Sequence, residues 1–188
     1  MKKFVSLAAS VLALCVLTGT LVAADKVKSG PQVGEKVPGP FEPLNINGDN
    51  AGKKFCQFCI NGQHPVAMVF ARETTDPVKK LIKELDGATV KNGDAKMGSF
   101  FVFLSDDEGL EKSLKTIAEK CELKKTVLTL DNKAGPEGYK IAPESDVTVV
   151  LYVGRVVKAN YTFKKGEMTE KDVAKVLADL PKILPTDK

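Results

Sequence analysis

The pattern of apolar and polar positions predicts short buried strands that alternate with amphipathic helices. Three apolar runs lack an alternating polar face, at residues 65–72, 99–104 and 126–130. This pattern is typical of strands in the centre of a sheet that is covered on both faces. Between the first two runs, apolar residues recur at the spacing of one helical face, which predicts a helix whose core side carries Val78, Leu81, Ile82 and Leu85.

A second amphipathic stripe predicts a helix over about 108–122, with a core side made of Leu110, Leu114, Ile117, Ala118 and Cys121. The acidic run Asp106-Asp107-Glu108 suits the positive end of that helix. We favour this role over metal binding, because the run lacks the alternating ligand spacing of a calcium loop. Cys121 is expected to face the core as a small apolar side chain, with a redox or ligand role as the alternative.

The chain before the first buried run is rich in turn residues. Residues 41–46 predict a first short strand, and Pro43 indicates that it lies at a sheet edge. Residues 47–52 are typical of a turn, and residues 53–59 predict another short strand. The dipeptide Asn61-Gly62 then predicts a hairpin turn that folds the CQFC segment back on the first buried run.

The last third of the chain predicts a hairpin and a final helix. Residues 131–146 form an irregular connection, which is a candidate binding loop. The apolar runs 146–153 and 156–163 predict two strands joined by the tight link Gly154-Arg155. Thr169 then caps a last amphipathic helix.

This order of elements predicts the α/β class. Strands that alternate with helices pair in parallel, and helices then cover both faces of the sheet in three layers, α/β/α. The C-terminal β-hairpin adds antiparallel strands, so the central sheet should be mixed.

The N-terminus predicts a secretory signal peptide over residues 1–24. Lys2 and Lys3 precede a long apolar run, and small residues follow it. A retained membrane anchor is the alternative, since the run is near the length that a span needs. Residues 25–40 are rich in glycine and proline and predict a flexible lead-in, so that residues 41–188 form one domain.

Charge and composition narrow the partners. The chain has 28 basic and 24 acidic residues, interspersed, and no tryptophan. No basic block suggests nucleic-acid binding. No second apolar span follows the signal, so we expect no stable membrane insertion after cleavage. The signal itself predicts export to a periplasmic or extracellular location in a bacterial cell envelope. No cofactor and no resident metal are predicted, and the sequence does not indicate an oligomeric state.

The candidate chemistry lies at Cys56 and Cys59, the only closely spaced cysteines. In an oxidising compartment such a pair persists as a disulfide. One interpretation is a redox-active dithiol, in which Cys56 attacks and Cys59 resolves, with Lys53, Lys54 or His64 favouring the thiolate.

Two other interpretations of this pair remain open. The disulfide could be structural, although the loop that it closes is very short and its entropic contribution is therefore small. The pair could also bind a metal together with His64 and Cys121, although a second ligand pair with matching spacing is absent. We favour the redox interpretation.

The succession of elements over residues 33–184, together with the CxxC spacing, resembles the thioredoxin-like superfamily. The lead-in VGEKVPGPF and the following PLNINGDNAGK are similar to the N-terminal extension of its peroxiredoxin and exported thioredoxin-like branch. The resemblance implies a thioredoxin-like fold, thiol–disulfide exchange or peroxide reduction, and a protein partner that carries a thiol or a disulfide.

Two departures limit what the resemblance implies. In that superfamily the reactive cysteine follows the first central strand, where residues 72–77 of this chain have no cysteine. We therefore expect no peroxidase activity by the family route. The proline that precedes the hairpin strand in thioredoxins is replaced here by Asp146-Val147-Thr148. The sequence thus predicts a thiol–disulfide oxidoreductase or redox partner with a displaced CxxC, or else a binding module with a structural disulfide.

Overall fold

The computed structural model describes residues 27–185, so the predicted signal peptide lies outside the described residues. Six strands form one mixed sheet in the order β1-β4-β3-β2-β5-β6, with β2, β3 and β4 parallel and the other pairings antiparallel. The strands are β1 (Leu44–Asn45), β2 (Val66–Ala71), β3 (Gly98–Leu104), β4 (Val127–Asp131), β5 (Ser145–Val153) and β6 (Val156–Lys164). The α helices are α1 (Gln57–Asn61), α2 (Asp76–Lys91), α3 (Gly109–Lys120) and α4 (Glu170–Ala178).

The α/β class, the mixed sheet and the C-terminal hairpin are confirmed, and the two sheet faces differ in what covers them. One face packs against α2, α3 and α4. The crossovers from β2 to β3 and from β3 to β4 advance in the same direction, so their right-handed connections place both helices on this face. The other face is covered by α1, by the segment before β1 and by the connection between β4 and β5, through the apolar side chains of Phe58, Val37 and Tyr139.

The predicted strand over residues 53–59 and the hairpin turn at Asn61-Gly62 are wrong. Only the first half of that segment pairs with β1, through one bridge between Leu44 and Lys54. The second half turns into α1, and Gly62 ends this helix with a φ of 53°, in the left-handed region that favours glycine. The Asn-Gly signal was therefore a helix end rather than a hairpin.

Residues 27–40, expected to be a flexible lead-in, have specific partners in the structure. The Ser29 side chain is fully buried, and its Oγ accepts hydrogen bonds from the Thr148 hydroxyl and from the backbone N–H of Ala142. The Asn160 amide donates to the carbonyls of Ser29 and Pro31. This segment therefore packs as part of the folded domain.

Helix α2 carries a carboxylate that organises the start of β4. Asp86 is 7% exposed and accepts hydrogen bonds from the backbone N–H groups of Lys124, Lys125 and Thr126 at 2.7–3.1 Å. Three consecutive donors that would otherwise lack a partner in the protein are thereby satisfied. The carboxylate acts as a cap for the strand, although it belongs to a helix.

Helix α4 begins with a capping box, as the sequence predicted for Thr169. The Asp172 carboxylate accepts from the backbone N–H of Thr169 at 3.0 Å, and the Thr169 side chain accepts in return from the Asp172 backbone. Lys175 donates to the same carboxylate at 2.8 Å. These hydrogen bonds, led by the one from Lys175, hold the pKa of Asp172 at about 2.

Replacing Asp172 by asparagine is expected to lower the free energy of unfolding by about 1 kcal/mol near neutral pH. Because the folded-state pKa lies below the unfolded one, this contribution is present above about pH 4 and disappears as the pH falls through about 2. Urea unfolding of both proteins across this range measures it. The two stabilities should converge as the pH falls, and a difference that stays constant would contradict the assignment.

No helix among residues 27–185 is long and apolar enough to cross a membrane.

Candidate functional site

Cys56 and Cys59 are joined by a disulfide at the start of α1, with their Cα atoms 5.3 Å apart. Cys56 is the N-cap of the helix and has an extended backbone. The backbone N–H of Cys59 donates to the Sγ of Cys56 at 3.1 Å. The CxxC spacing therefore matches one capped helical turn, with the first sulfur at its amino end.

Neighbouring side chains explain why so short a helix forms at this point. The buried Gln57 amide donates to the side-chain oxygen of Asn45, whose own amide donates to the carbonyls of Pro43 and Phe55 at 3.0 Å. At the other end of α1, the Asn61 amide donates to the Gln57 carbonyl at 2.8 Å. Tertiary contacts with β1 thus hold a five-residue helix that its own propensity would not maintain.

The two cysteines differ in exposure. Cys56 is 7% exposed and belongs to the core cluster on the α1 face of the sheet. Cys59 is exposed, and the adjacent Ile60 is 54% exposed. The site therefore exposes one cysteine to solvent and keeps the other inside.

The disulfide lies at the end of the sheet where the parallel strands β2, β3 and β4 begin. Asn61, at the end of α1, lies against Gly98, the first residue of β3, and the backbone N–H of Gly98 donates to the carbonyl of Pro65, just before β2. The Arg155 guanidinium lies over the ring of Phe58, 4.8 Å from its centroid. Open parallel sheets usually bind their ligands at the opposite end, beyond the carboxyl ends of the strands.

The basic groups suggested as thiolate partners do not hydrogen-bond to the pair within the described residues. Lys53 and Lys54 are exposed, and His64 is half-buried. No group of three or more histidine, cysteine or acidic side chains among residues 27–185 is arranged to hold a metal ion. The proposed metal set from the cysteine pair, His64 and Cys121 is therefore not assembled.

Cys121 differs from its predicted position on the core-facing stripe of α3. It lies one residue beyond the helix as its C-cap, and it is a free, half-buried thiol. Leu114 and Ala118 are the buried residues of that helix. Helix α3 ends at Lys120, so Cys121 follows the helix and is not one of its buried, core-facing residues.

A cavity of about 580 Å³ lies at the opposite end of the sheet, beyond the carboxyl ends of the parallel strands, and we call it the C-terminal cavity. Arg72, directly after β2, donates to the backbone carbonyls of Lys133 at 2.8 Å and Ser145 at 2.9 Å. It is the first of residues 72–77, the stretch in which the resemblance would place a reactive cysteine. The other charged residues that line the cavity are Glu73, Asp106, Asp107, Lys133, Glu144, Asp146 and Lys165.

Asp146 is the buried acid of this cavity. It is 7% exposed and lies at an irregularity in the pairing of β5 with β6. Burial raises the pKa of its carboxyl group, and the nearby Glu73 raises it further, while Lys165 and Arg72 oppose that change. The sequence placed Asp146 where the candidate binding loop meets the predicted strand 146–153 and assigned it no role; the available signal was a single carboxylate within an otherwise uncharged strand, β5.

The architecture has clear counterparts among solved structures. A candidate protein disulfide isomerase from Bacteroides thetaiotaomicron superposes with a TM-score of 0.61 at 16% identity, covering 84% of this chain and 94% of that one. The peroxidoxin BcpB from Mycobacterium tuberculosis superposes with a TM-score of 0.57 at 17% identity, covering 85% and 100%. The protein has a thioredoxin-like fold.

A third similar structure is a secreted disulfide oxidoreductase of Mycobacterium tuberculosis that is homologous to DsbE, with a TM-score of 0.50 at 11% identity, covering 73% of this chain and 94% of that one. No protein-family model matches the chain, and no curated protein matches it significantly. At these identities the similarity establishes the thioredoxin-like fold that the sequence predicted, and the chemistry has to be argued from the residues.

Proposed function

We propose that this thioredoxin-like protein exchanges disulfides with a thiol-bearing protein partner through Cys56 and Cys59. The observation that carries the proposal is the unequal exposure of the pair, with Cys59 open to solvent and Cys56 buried at the helix N-cap. An exchange reaction needs one accessible sulfur to attack or be attacked, and one leaving sulfur that the protein stabilises.

The geometry supports a definite order of bond changes. A partner thiolate attacks the Sγ of Cys59, the bond between the two protein sulfurs breaks, and its electron pair remains on the Sγ of Cys56. The backbone N–H of Cys59, 3.1 Å from that sulfur in the disulfide, is placed to stabilise the leaving thiolate. A second partner thiolate then attacks the partner's own sulfur in the mixed disulfide and releases Cys59. The partner gains a disulfide and the protein becomes a dithiol; the reverse sequence reduces a partner.

This order reverses the roles that the sequence suggested. Cys56 was expected to attack and Cys59 to resolve, with Lys53, Lys54 or His64 favouring the thiolate. Exposure favours Cys59 as the sulfur that meets the partner and Cys56 as the resolving one. The exposed Ile60 beside Cys59 gives a partner an apolar contact next to the reacting sulfur.

The reduction potential of the pair tests the proposal. The protein is equilibrated in glutathione or dithiothreitol buffers of defined ratio, its thiols are alkylated, and mass spectrometry gives the oxidised fraction. A potential between about −120 and −270 mV is expected, the range of exchange catalysts. A Cys121→Ser variant should give the same value, which shows that the measurement reports the pair. A potential below about −300 mV would overturn the proposal.

The second candidate function is that of a binding module in which the disulfide is structural. The observation that favours it is the place of Cys56 in the core and the dependence of α1 on contacts with β1. In that case, reduction should lower the free energy of unfolding and abolish any partner binding near α1. The redox titration described above separates the two candidates, because a structural disulfide should have a potential below about −300 mV.

We infer that the protein is exported by cleavage of residues 1–24 and works in the periplasm or outside the cell. The positive start and the apolar run of the sequence support this, as does a disulfide pair suited to an oxidising compartment. Intact-mass analysis of the protein recovered from its native compartment tests it. A chain that begins at Asp25 is expected, and a full-length chain would contradict cleavage.

A further inference from the structure

We propose that the C-terminal cavity binds an organic cation, a primary ammonium or a guanidinium group, and that the carboxylate of Asp146 is its ionic partner. The cavity and Cys59 lie at opposite ends of the parallel strands. A ligand bound in it would therefore be separate from the disulfide and its exchange chemistry.

The first observation is that Asp146 lacks a partner. It lines the cavity, is more than nine-tenths buried, and its carboxylate accepts no hydrogen bond from the described residues. Its position is fixed by the backbone, because its carbonyl accepts from the N–H of Arg72 at 2.9 Å. Among the described residues, the only buried side-chain nitrogen or oxygen without a hydrogen-bond partner is the Tyr152 hydroxyl, so the carboxylate oxygens of Asp146 are accessible from the cavity. A cation bound there would give them the hydrogen bonds that the domain does not supply.

The second observation is that the nearest cations are already engaged. The Arg72 guanidinium donates to the backbone carbonyls of Lys133, Ala142 and Ser145. The Lys165 ammonium is paired with Glu73. Both lower the electrostatic cost of ionising Asp146, but neither donates a hydrogen bond to its carboxylate.

The rim of the cavity favours a positive ligand. Its acids are Asp106, Asp107 and Glu144, and Lys133 is the remaining base. Backbone contacts hold two of these acids in place: Asp106 accepts from the N–H of Lys133 at 3.2 Å, and Asp107 accepts from that of Gly109 at 2.8 Å. The acids of the cavity outnumber its bases, so an anion would meet net repulsion.

The chemistry of the donors favours an organic cation over a metal ion. The described residues contain no set of three or more side chains arranged around a metal. A single buried carboxylate suits an ammonium or guanidinium group, which needs hydrogen-bond acceptors rather than a full coordination shell. The volume of about 580 Å³ accommodates a ligand or side chain of several heavy atoms.

The experiment follows amide NMR signals of the isotope-labelled oxidised protein during titration with n-butylammonium and methylguanidinium chloride at constant ionic strength. Saturable shifts are expected at residues around the cavity, namely 72–73, 104–107, 133 and 144–146. Butyrate, with the opposite charge on the same chain length, should produce none. The Asp146→Asn variant should bind roughly tenfold more weakly or worse, the effect of removing one member of a buried ion pair.

The control is Asp94→Asn, which removes the same charge from an exposed acid just before β3, at the end of the sheet where the parallel strands begin. It should bind like the wild type. Equal binding by Asp146→Asn, or an equal loss in Asp94→Asn, would overturn the proposal. If Asp146→Asn does not fold, the wild-type arms decide: saturable binding of either cation and not of butyrate supports the site, while binding of neither cation, or equal binding of butyrate, overturns it.

Discussion

A Cys56→Ser variant is expected to react with an aromatic disulfide reagent roughly tenfold faster, or more, than a Cys59→Ser variant. The remaining thiol is Cys59 in the first protein and Cys56 in the second, and only Cys59 is exposed. Reaction at Cys56 requires α1 to open, and a local opening that costs about 1.4 kcal/mol already slows the reaction about tenfold. The release of the coloured thiol is followed by absorbance with the reagent in excess, under pseudo-first-order conditions.

Both variants should be made in a Cys121→Ser background, because Cys121 is a free, half-buried thiol that would add its own signal. When the same Cys56→Ser protein is mixed with a partner that carries a disulfide, the Cys59 thiolate should form a mixed disulfide that accumulates, since Cys56 is no longer present to resolve it. Faster reaction by the Cys59→Ser variant would restore the roles that the sequence suggested. Equal rates would show that α1 opens freely in the absence of the disulfide.

The central strands and long helices could be predicted from the sequence because burial there is set by many residues at once. β2 is a run of six buried residues, and only a fully covered strand accommodates it. Helix α2 combines a four-residue apolar stripe with Pro77 at its start. Local pattern and final structure agree at these positions, so the element types follow without knowledge of contacts distant in sequence.

Helix α1 was missed because what holds it is distant in sequence. Five residues are too few for a helical period, and the decisive contact joins Gln57 to Asn45 across a turn. The same limit applies to the pair itself. The spacing of Cys56 and Cys59 predicted a dithiol or disulfide, but the burial of one and the exposure of the other depend on the packing of α1 against the sheet.

The C-terminal cavity illustrates a further limit. Arg72 and Asp146 are far apart in sequence, and the antiparallel pairing of β2 with β5 brings them to the same end of the sheet. The sequence showed that residues 72–77 contain no cysteine. It did not indicate that a carboxylate without a protein partner lies at the same end of the sheet, because that depends on the register of β5.

An Asp86→Ala variant is expected to lose about 3 kcal/mol of unfolding free energy. The carboxylate satisfies three backbone N–H groups at the start of β4, and each buried donor left unpaired costs about 1–3 kcal/mol. Thr126 is the most affected, since it is 1% exposed and water does not readily reach its amide. Urea unfolding of the oxidised protein measures the change.

The surroundings of Asp86 determine how this loss should spread. The Thr126 hydroxyl is 2.6 Å from that of Ser99, which is in turn 2.6 Å from that of Thr89 on α2. Asp86→Asn keeps one acceptor oxygen and should therefore lose about half as much, while Asp94→Ala, at an exposed acid, should stay within about 0.5 kcal/mol of the wild type. Hydrogen exchange at the Thr126 amide should accelerate in Asp86→Ala. A loss below about 1 kcal/mol with unchanged exchange would mean that water replaces the carboxylate, and that α2 does not hold β4 through this contact.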